Sequence, residues 1–312
     1  MLYKKHLNLE DRKNLPLNGP SNYRICENKV LTRAIEVNAV TQCNLSCKGC
    51  SHCSPIAENK IYNPDQLKRD LMILSKFLKT EFVRVVGGEP LLHPELSIFL
   101  KNIKESKISE KTCLVTNGLL LDKINEECLK YIDKIEVSLY PLSARMKEKI
   151  INAAEKLSNN DIKVRLLSYS DFRQPLCQNI SDNIELIQQI YETCQIAHNW
   201  RCITIDNNKI YRCPQSMIFN NNNHSSSDIL YIDDINNYIE LLEFLENNNY
   251  LEACKKCLGS VGKKFEHVQI KRQEWVSQLP LTPEEGVDMQ YKEELSKTLI
   301  YKSDCMERNR LN

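Results

Sequence analysis

From Ala34 onward the chain alternates short runs of β-branched residues with stretches whose apolar positions recur every three or four residues. The strand-like runs are 34–40, 82–86, 112–115, 134–140 and 163–167. Between them lie helix-like stretches at 64–78, 94–104, 122–131 and 143–157. Pro64 followed by Asp65 suits a first helical turn, because the missing proline N–H would have no helical partner there. Strand, helix, strand in repetition predicts parallel pairing through right-handed crossovers. The fold class expected is α/β, an open or partial barrel of about five such units.

Near residue 175 the texture changes. A helix is expected at 183–191, then short strands at 202–205 and 209–212 around Asp206-Asn207-Asn208, where Asx residues tolerate positive φ. A polar loop follows at 220–228, then a helix at 235–246. The organisation read from this is an N-terminal arm (1–30), an α/β unit (31–180), a small unit (181–265) and a charged, helical C-terminal tail (266–312). The small unit is too short for a large core, and a metal often supplies the missing stability in such units.

Composition narrows the function. Charge is balanced, 42 Lys+Arg against 41 Asp+Glu, which argues against a nucleic-acid partner and against a cationic membrane surface. The first residues lack the apolar core of a signal peptide, and no apolar run is of membrane-spanning length. A cytoplasmic location is therefore expected. Fourteen Cys in a reducing compartment point to metal binding or catalysis ahead of disulfides. Glycines number only 8, so their positions carry information, and Gly49, Gly87, Gly88 and Gly118 fall within motifs.

The strongest motif is Cys43-Asn-Leu-Ser-Cys47-Lys-Gly-Cys50, directly after a strand, where α/β folds place their chemistry. Three thiolates on one tight loop can hold one cluster while leaving an iron open to a substrate; a fourth ligand would close the site. Gly87-Gly88-Glu89-Pro90 follows the next strand, Thr116-Asn117-Gly118 the third, and Val137-Ser138-Leu139 ends the fourth. Together these resemble the radical S-adenosylmethionine superfamily over residues 34–170. The resemblance implies a partial (β/α)6-type barrel. It implies a 4Fe–4S cluster on Cys43, Cys47 and Cys50, with S-adenosylmethionine on its open iron. It also implies cosubstrate contacts from Gly87, Gly88, Glu89, Pro90, Asn117 and Ser138. Zinc on the same loop, with Cys53 as fourth ligand, is the competing reading.

Cys194, Cys202, Cys213, Cys254 and Cys257 form a second set. The spacing from Cys194 through Asn208 to Cys213 resembles the start of the SPASM and Twitch auxiliary domains of that superfamily, with Asn208 at the glycine position. The resemblance implies one auxiliary 4Fe–4S cluster on Cys194 or Cys202 together with Cys213, Cys254 and Cys257; structural zinc is the alternative. Cys26, Cys113, Cys128, Cys177 and Cys305 read as core or surface thiols.

The chemistry implied is reductive cleavage of S-adenosylmethionine to a 5′-deoxyadenosyl radical, fed by an electron donor such as flavodoxin or ferredoxin. Hydrogen abstraction from a carbohydrate- or aminocyclitol-like small molecule would follow, leading to oxidation or epimerisation. Cys177 is the candidate hydrogen donor; Arg173 and Tyr140 are candidate substrate contacts. A peptide-modifying enzyme and a non-catalytic metal-stabilised binding protein are the other readings.

Overall fold

The structure is a computed structural model that describes residues 23–159, 162–219 and 228–297. Its strands are β1 (Arg24–Cys26), β2 (Lys29–Val40), β3 (Leu78–Gly87), β4 (Lys111–Thr116), β5 (Lys134–Leu139), β6 (Lys163–Ser168), β7 (Asp171–Arg173), β8 (Ile203–Asp206), β9 (Lys209–Tyr211), β10 (Ile229–Tyr231) and β11 (Lys264–Glu266). The helices used below are α1 (Pro64–Leu74), α2 (Leu96–Ser106), α3 (Glu126–Leu129), α4 (Ala144–Ser158), α5 (Ile184–Glu192), α6 (Pro214–Phe219) and α7 (Tyr238–Glu246). None of the described helices is long and apolar enough to cross a membrane.

The expected α/β class and parallel strands are found. β8, β2, β3, β4, β5 and β6 lie side by side and parallel, in that order. Ile35, Val37, Val83, Val85, Leu114, Ile135 and Val137 are fully buried on one face. Against them pack Leu67, Leu71 and Leu74 of α1 and Phe99, Leu100 and Ile103 of α2, forming the main core. Because side chains alternate across a strand, the neighbours of these residues face the other way. There they present Glu36, Arg84, Cys113, Lys134 and Glu136, a polar inner face.

Several boundaries differ from expectation for local reasons. The stretch 24–40 is a hairpin, with Glu27 and Asn28 at φ 49 and 59, so the sheet begins inside the expected arm. α1 stops at Leu74 because the Ser75 N–H caps it, and Leu78 already belongs to β3. The stretch 122–131 splits into a 3-10 turn and the single turn α3, whose N-cap is Asn125. α7 starts at Tyr238 because the Asn237 side chain accepts from Ile239 N and Glu240 N. Of the expected polar loop at 220–228, residues 220–227 lie outside the described residues.

The hairpin β8–β9 turns at Asn207 and Asn208, with φ 43 and 62. β8 pairs parallel with β2, Ile203 opposite Ile35, so the expected small unit extends the main sheet instead of starting its own. Cys202 and Cys213 fall in register across this hairpin, but the pairing ends at Thr204 and Tyr211, two positions short of them.

Candidate functional site

β2 ends at Val40 and the cysteine loop follows. Its first support is the turn after β3. Gly88 N donates to Val40 O at 2.9 Å and Glu89 N to Gln42 O at 2.8 Å. A Cβ on Gly87, at φ 137, would meet Val40 O at 2.2 Å, and one on Gly88 would meet Gln42 O at 2.0 Å. Only glycine permits this approach of two backbones. Glu89 is wholly buried, and its carboxylate accepts from Leu91 N, Thr116 Oγ1 and Asn117 N at 3.0, 2.7 and 2.8 Å. Burial raises its pKa against those three bonds. The side chain therefore ties β3 to β4, which leaves the turn's backbone as the part able to meet a ligand. Pro90 is buried at the start of a 3-10 turn.

The second support is Asn117. Its Nδ2 donates to Asn44 Oδ1 at 2.7 Å and lies 3.6 Å from Cys43 Sγ. Its Oδ1 accepts from Leu119 N. Asn117 is thus an anchor of the cysteine loop.

The third support comes from the C-terminal segment, which sequence reading left as a tail. Cys47 pairs with Gln269, Lys48 N donates to Val268 O at 2.9 Å, and Ile270 N to Ser46 O at 2.9 Å. Trp275, 1% exposed, donates its indole N–H to Cys47 O at 3.0 Å. Gly49 has φ 62, and a Cβ there would lie 2.5 Å from the ring of Phe265 on β11. Trp275 packs with Cys53, Leu176 and Leu279. Cys53 is buried in that cluster, and burial pushes its thiol far up.

Burial pushes the Cys43 thiol up to about 11, where its bond from Leu45 N opposes the shift and Cys50 adds to it. Cys47 rises to about 12 through burial, then through repulsion from Cys50 and Cys43. Thiols that repel one another as thiolates are a donor set awaiting a cation, and a bound metal deprotonates its thiol ligands. The three side chains on one loop, with glycine backbone beside them, fit a cluster with an open position. Among the described residues no three His, Cys, Asp or Glu are gathered as they stand closely enough for a metal ion.

Beside this loop stands an aromatic wall. Tyr140 stacks on His267 with centroids 4.8 Å apart and planes 5° from parallel; Phe172 meets both rings edge-on. Burial raises the Tyr140 pKa, its bond with Ser138 opposes this, and Cys47, Cys50 and Cys43 add to it. Tyr140, with Ser138 bonded to it, therefore stands beside the loop. His267, Phe172 and Trp275 were missed; isolated rings, on β7 or in a charged tail, carry no sequence signal.

The second set of thiols also meets. Cys194, Cys213, Cys254 and Cys257 line one cavity with Ile190, Tyr191, Leu251 and Gly259. Gly259 N donates to Cys257 Sγ at 3.3 Å, and a Cβ on Gly259 would lie 3.1 Å from Cys194 Sγ. Burial leads in raising all four thiols, Cys213 to about 11, and repulsion among them adds at Cys213, Cys254 and Cys257. This donor set fits a closed four-thiolate group. Cys202 does not line the cavity; its first charged neighbours are Glu36 and Arg84.

Two expected site residues are committed elsewhere. Cys177 is wholly buried, and its thiol bonds to Asn179 O and Lys256 O. The S–H thus faces backbone carbonyls, that of Lys256 being next to Cys257. Arg173 donates to Gly262 O, pairs with Asp288 at 3.2 Å and lies 3.7 Å from the Tyr291 ring centre. Its guanidinium fastens the C-terminal segment through Nη1. Cys113 and Cys128 are buried and Cys26 is exposed, as expected of ordinary thiols. Cys305 lies outside the described residues.

Residues 37–169 match the family model described as Radical SAM superfamily. The GTP 3′,8-cyclase of Clostridium perfringens (strain SM101 / Type A) is 30% identical over 145 residues, 42% of this chain and 45% of the relative. The probable GTP 3′,8-cyclase of Methanococcus vannielii is 30% identical over 120 residues, 38% of this chain and 40% of the relative. The chain thus spans less than half the length of these two relatives. The solved structure of BtrN in complex with AdoMet and 2-DOIA is 21% identical, with 72% of this chain and 92% of that chain covered and a TM-score of 0.44. Native anSMEcpe with bound AdoMet and Cp18Cys peptide is 13% identical, with 89% and 100% covered and a TM-score of 0.44. The matched segment carries Cys43, Cys47, Cys50, Gly87, Gly88, Asn117 and Ser138; the four-thiol cavity lies beyond it.

Proposed function

We propose that this chain is a radical S-adenosylmethionine enzyme acting on a carbohydrate- or aminocyclitol-like small molecule. Cys43, Cys47 and Cys50 would hold a 4Fe–4S cluster, and Cys194, Cys213, Cys254 and Cys257 an auxiliary one. With S-adenosylmethionine bound, the first cluster would supply a 5′-deoxyadenosyl radical able to take hydrogen from an unactivated carbon. The chain's own part is to position and to exclude water. Backbone at Gly87 and Gly88 would meet the cosubstrate beside the cysteine loop, and the Tyr140–His267 wall would shield it. The electron left after hydrogen abstraction would have an acceptor in the auxiliary cluster, which favours oxidation; a flavodoxin or ferredoxin would supply the first electron.

The observation that carries the reading is the cysteine loop itself, three thiols joined through Asn117 and Gly88 to the ends of β4 and β3. Anaerobic reconstitution is expected to give about eight irons per chain for two such clusters. Reduced protein given S-adenosylmethionine is expected to release 5′-deoxyadenosine, and Cys47→Ala to release none. Release equal to the parent's by Cys47→Ala would refute the reading. A second reading, cyclisation of a nucleotide, takes its support from the names of the curated relatives. Deuterium transfer into 5′-deoxyadenosine from a labelled amino sugar, and not from labelled GTP, decides between them.

A further inference from the structure

The two sets of thiols share a wall, and α6 stands in it. The helix begins directly after Cys213, so its first N–H groups have no partner inside the helix. Burial leads in raising the Cys213 thiol, and the N–H groups of Ser216 and Gln215 are among the bonds that oppose the rise. Gln215 is 2% exposed and lines the four-thiol cavity. Its side chain runs to the other set: Nε2 donates at 3.3 Å to the carbonyl of Ser51, the residue after Cys50. Its Oε1 is buried without a partner, so that bond is the side chain's one hydrogen bond among the described residues.

The rest of the wall is packed from both sides. Ser51 belongs to the turn that Cys53 N closes on Cys50 O at 2.9 Å. Phe219, one turn along α6 from Gln215, packs against Cys53, Leu176, Trp275 and Leu279, and also against Cys213, Leu251 and Ala253. Leu176 pairs with Cys257 of the second set. Lys256, between Cys254 and Cys257, is a charged neighbour of Cys53, as is Cys50. Adjacency alone does not couple two sites; an element that one site fixes and the other leans on does. Gln215 is such an element. A metal group on Cys213 pins that thiol, the pinned thiol holds the first turn of α6, and the amide on that turn holds Ser51.

We propose that Gln215 is a positioning residue that couples the two thiol sites, so that filling the four-thiol site sets the Ser51 carbonyl, and with it Cys50, where the loop cluster needs them. This rests on the radical S-adenosylmethionine reading, since it takes both sites as metal-loaded, and it gives the four-thiol site a task besides accepting an electron. The coupling is reciprocal: each filled site strengthens the other by the same factor. Its scale is that of one buried hydrogen bond, about fivefold in affinity.

The test is a double-mutant cycle on the reconstituted full chain, read as the chelator concentration that removes half of the loop cluster. That cluster is followed by the change S-adenosylmethionine makes in its paramagnetic resonance spectrum. One arm breaks the four-thiol site with Cys254→Ser and Cys257→Ser, another replaces the amide with Gln215→Leu, and the last carries all three changes. Breaking the four-thiol site is expected to lower the concentration about fivefold in the parent and less than about twofold in the Gln215→Leu background. Through-space charge from the auxiliary group is the same in both backgrounds, so the difference isolates the amide. A merely structural part for Gln215 would weaken the loop cluster by one factor whether or not the four-thiol site is whole. Circular dichroism matching the parent's establishes folding. If Gln215→Leu does not fold, Gln215→Glu, which cannot donate when ionised, takes its place, and Cys254→Ser alone can stand for the pair. Equal factors in the two backgrounds, or no change in the parent, would overturn the proposal. About eight irons kept by Cys254→Ser with Cys257→Ser would remove the four-thiol assignment and the proposal with it. A parental result from Cys47→Ala removes the radical reading; equal factors with Cys47→Ala inactive remove the coupling alone.

Discussion

A methyl group on residue 88 would sit 2.0 Å from the carbonyl oxygen of Gln42, a distance no real contact tolerates. The obstacle is backbone, not the end of a flexible side chain, so the loop before Cys43 must move. Gly88→Ala is therefore expected to bind about four irons per chain in place of about eight, keeping the auxiliary cluster and losing the one on the loop. Iron analysis with cluster spectroscopy checks this; eight irons would show that the loop accommodates the methyl. Asn117 teaches a related lesson. Its amide spans Cys43, Asn44 and Leu119, so what looked like a cosubstrate contact is first a brace for the loop.

Among the elements, the β8–β9 hairpin does more than its length suggests. It joins the main sheet through Ile203 beside Ile35, and it ends two residues before Cys213. Asn208 stands at φ 62, donates its N–H to Asp70 and accepts from Asp233 N through its side chain. A β-branched residue there is strained in that conformation and cannot make the Asp233 bond. Asn208→Val is expected to cost about 2 kcal/mol, as judged by urea midpoints, and to lower occupancy of the four-thiol site ahead of the loop site. Asn208→Gly, free of the strain, is expected to lose less than half of that.

At the scale of the whole molecule, the cysteine loop is clamped by residues more than 200 positions away, through Trp275, Val268 and Gln269. The ring of Trp275 fills the cluster around Cys53, Leu176 and Leu279. Trp275→Ala removes both that packing and the bond to Cys47 O, at an expected cost of about 3–5 kcal/mol. The loop cluster is expected to be lost with it while the auxiliary site keeps its iron. Chemical denaturation and cluster spectroscopy read the two effects separately; full loop occupancy in this variant would contradict the clamp.

The sequence by itself determined the parallel sheet, the loop carrying Cys43, Cys47 and Cys50, and the glycines beside it. Periodicity and close spacing are local properties, and each states its own physical requirement. Helix ends were less legible, because a cap such as Asn237 or Ser75 competes with apolar periodicity that runs past it. Only the tertiary structure decided which thiols meet. Cys194 and Cys202 are nearly equivalent as spacings, yet one lines the cavity and the other faces Glu36 and Arg84, since the hairpin's position in the sheet sets where each side chain points. Likewise only the folded chain shows that the Cys177 thiol meets Asn179 O and Lys256 O and that Arg173 Nη1 meets Gly262 O and Asp288. Contacts between distant segments carry no local pattern, so the roles of Trp275 and His267 became visible only once the chain was folded.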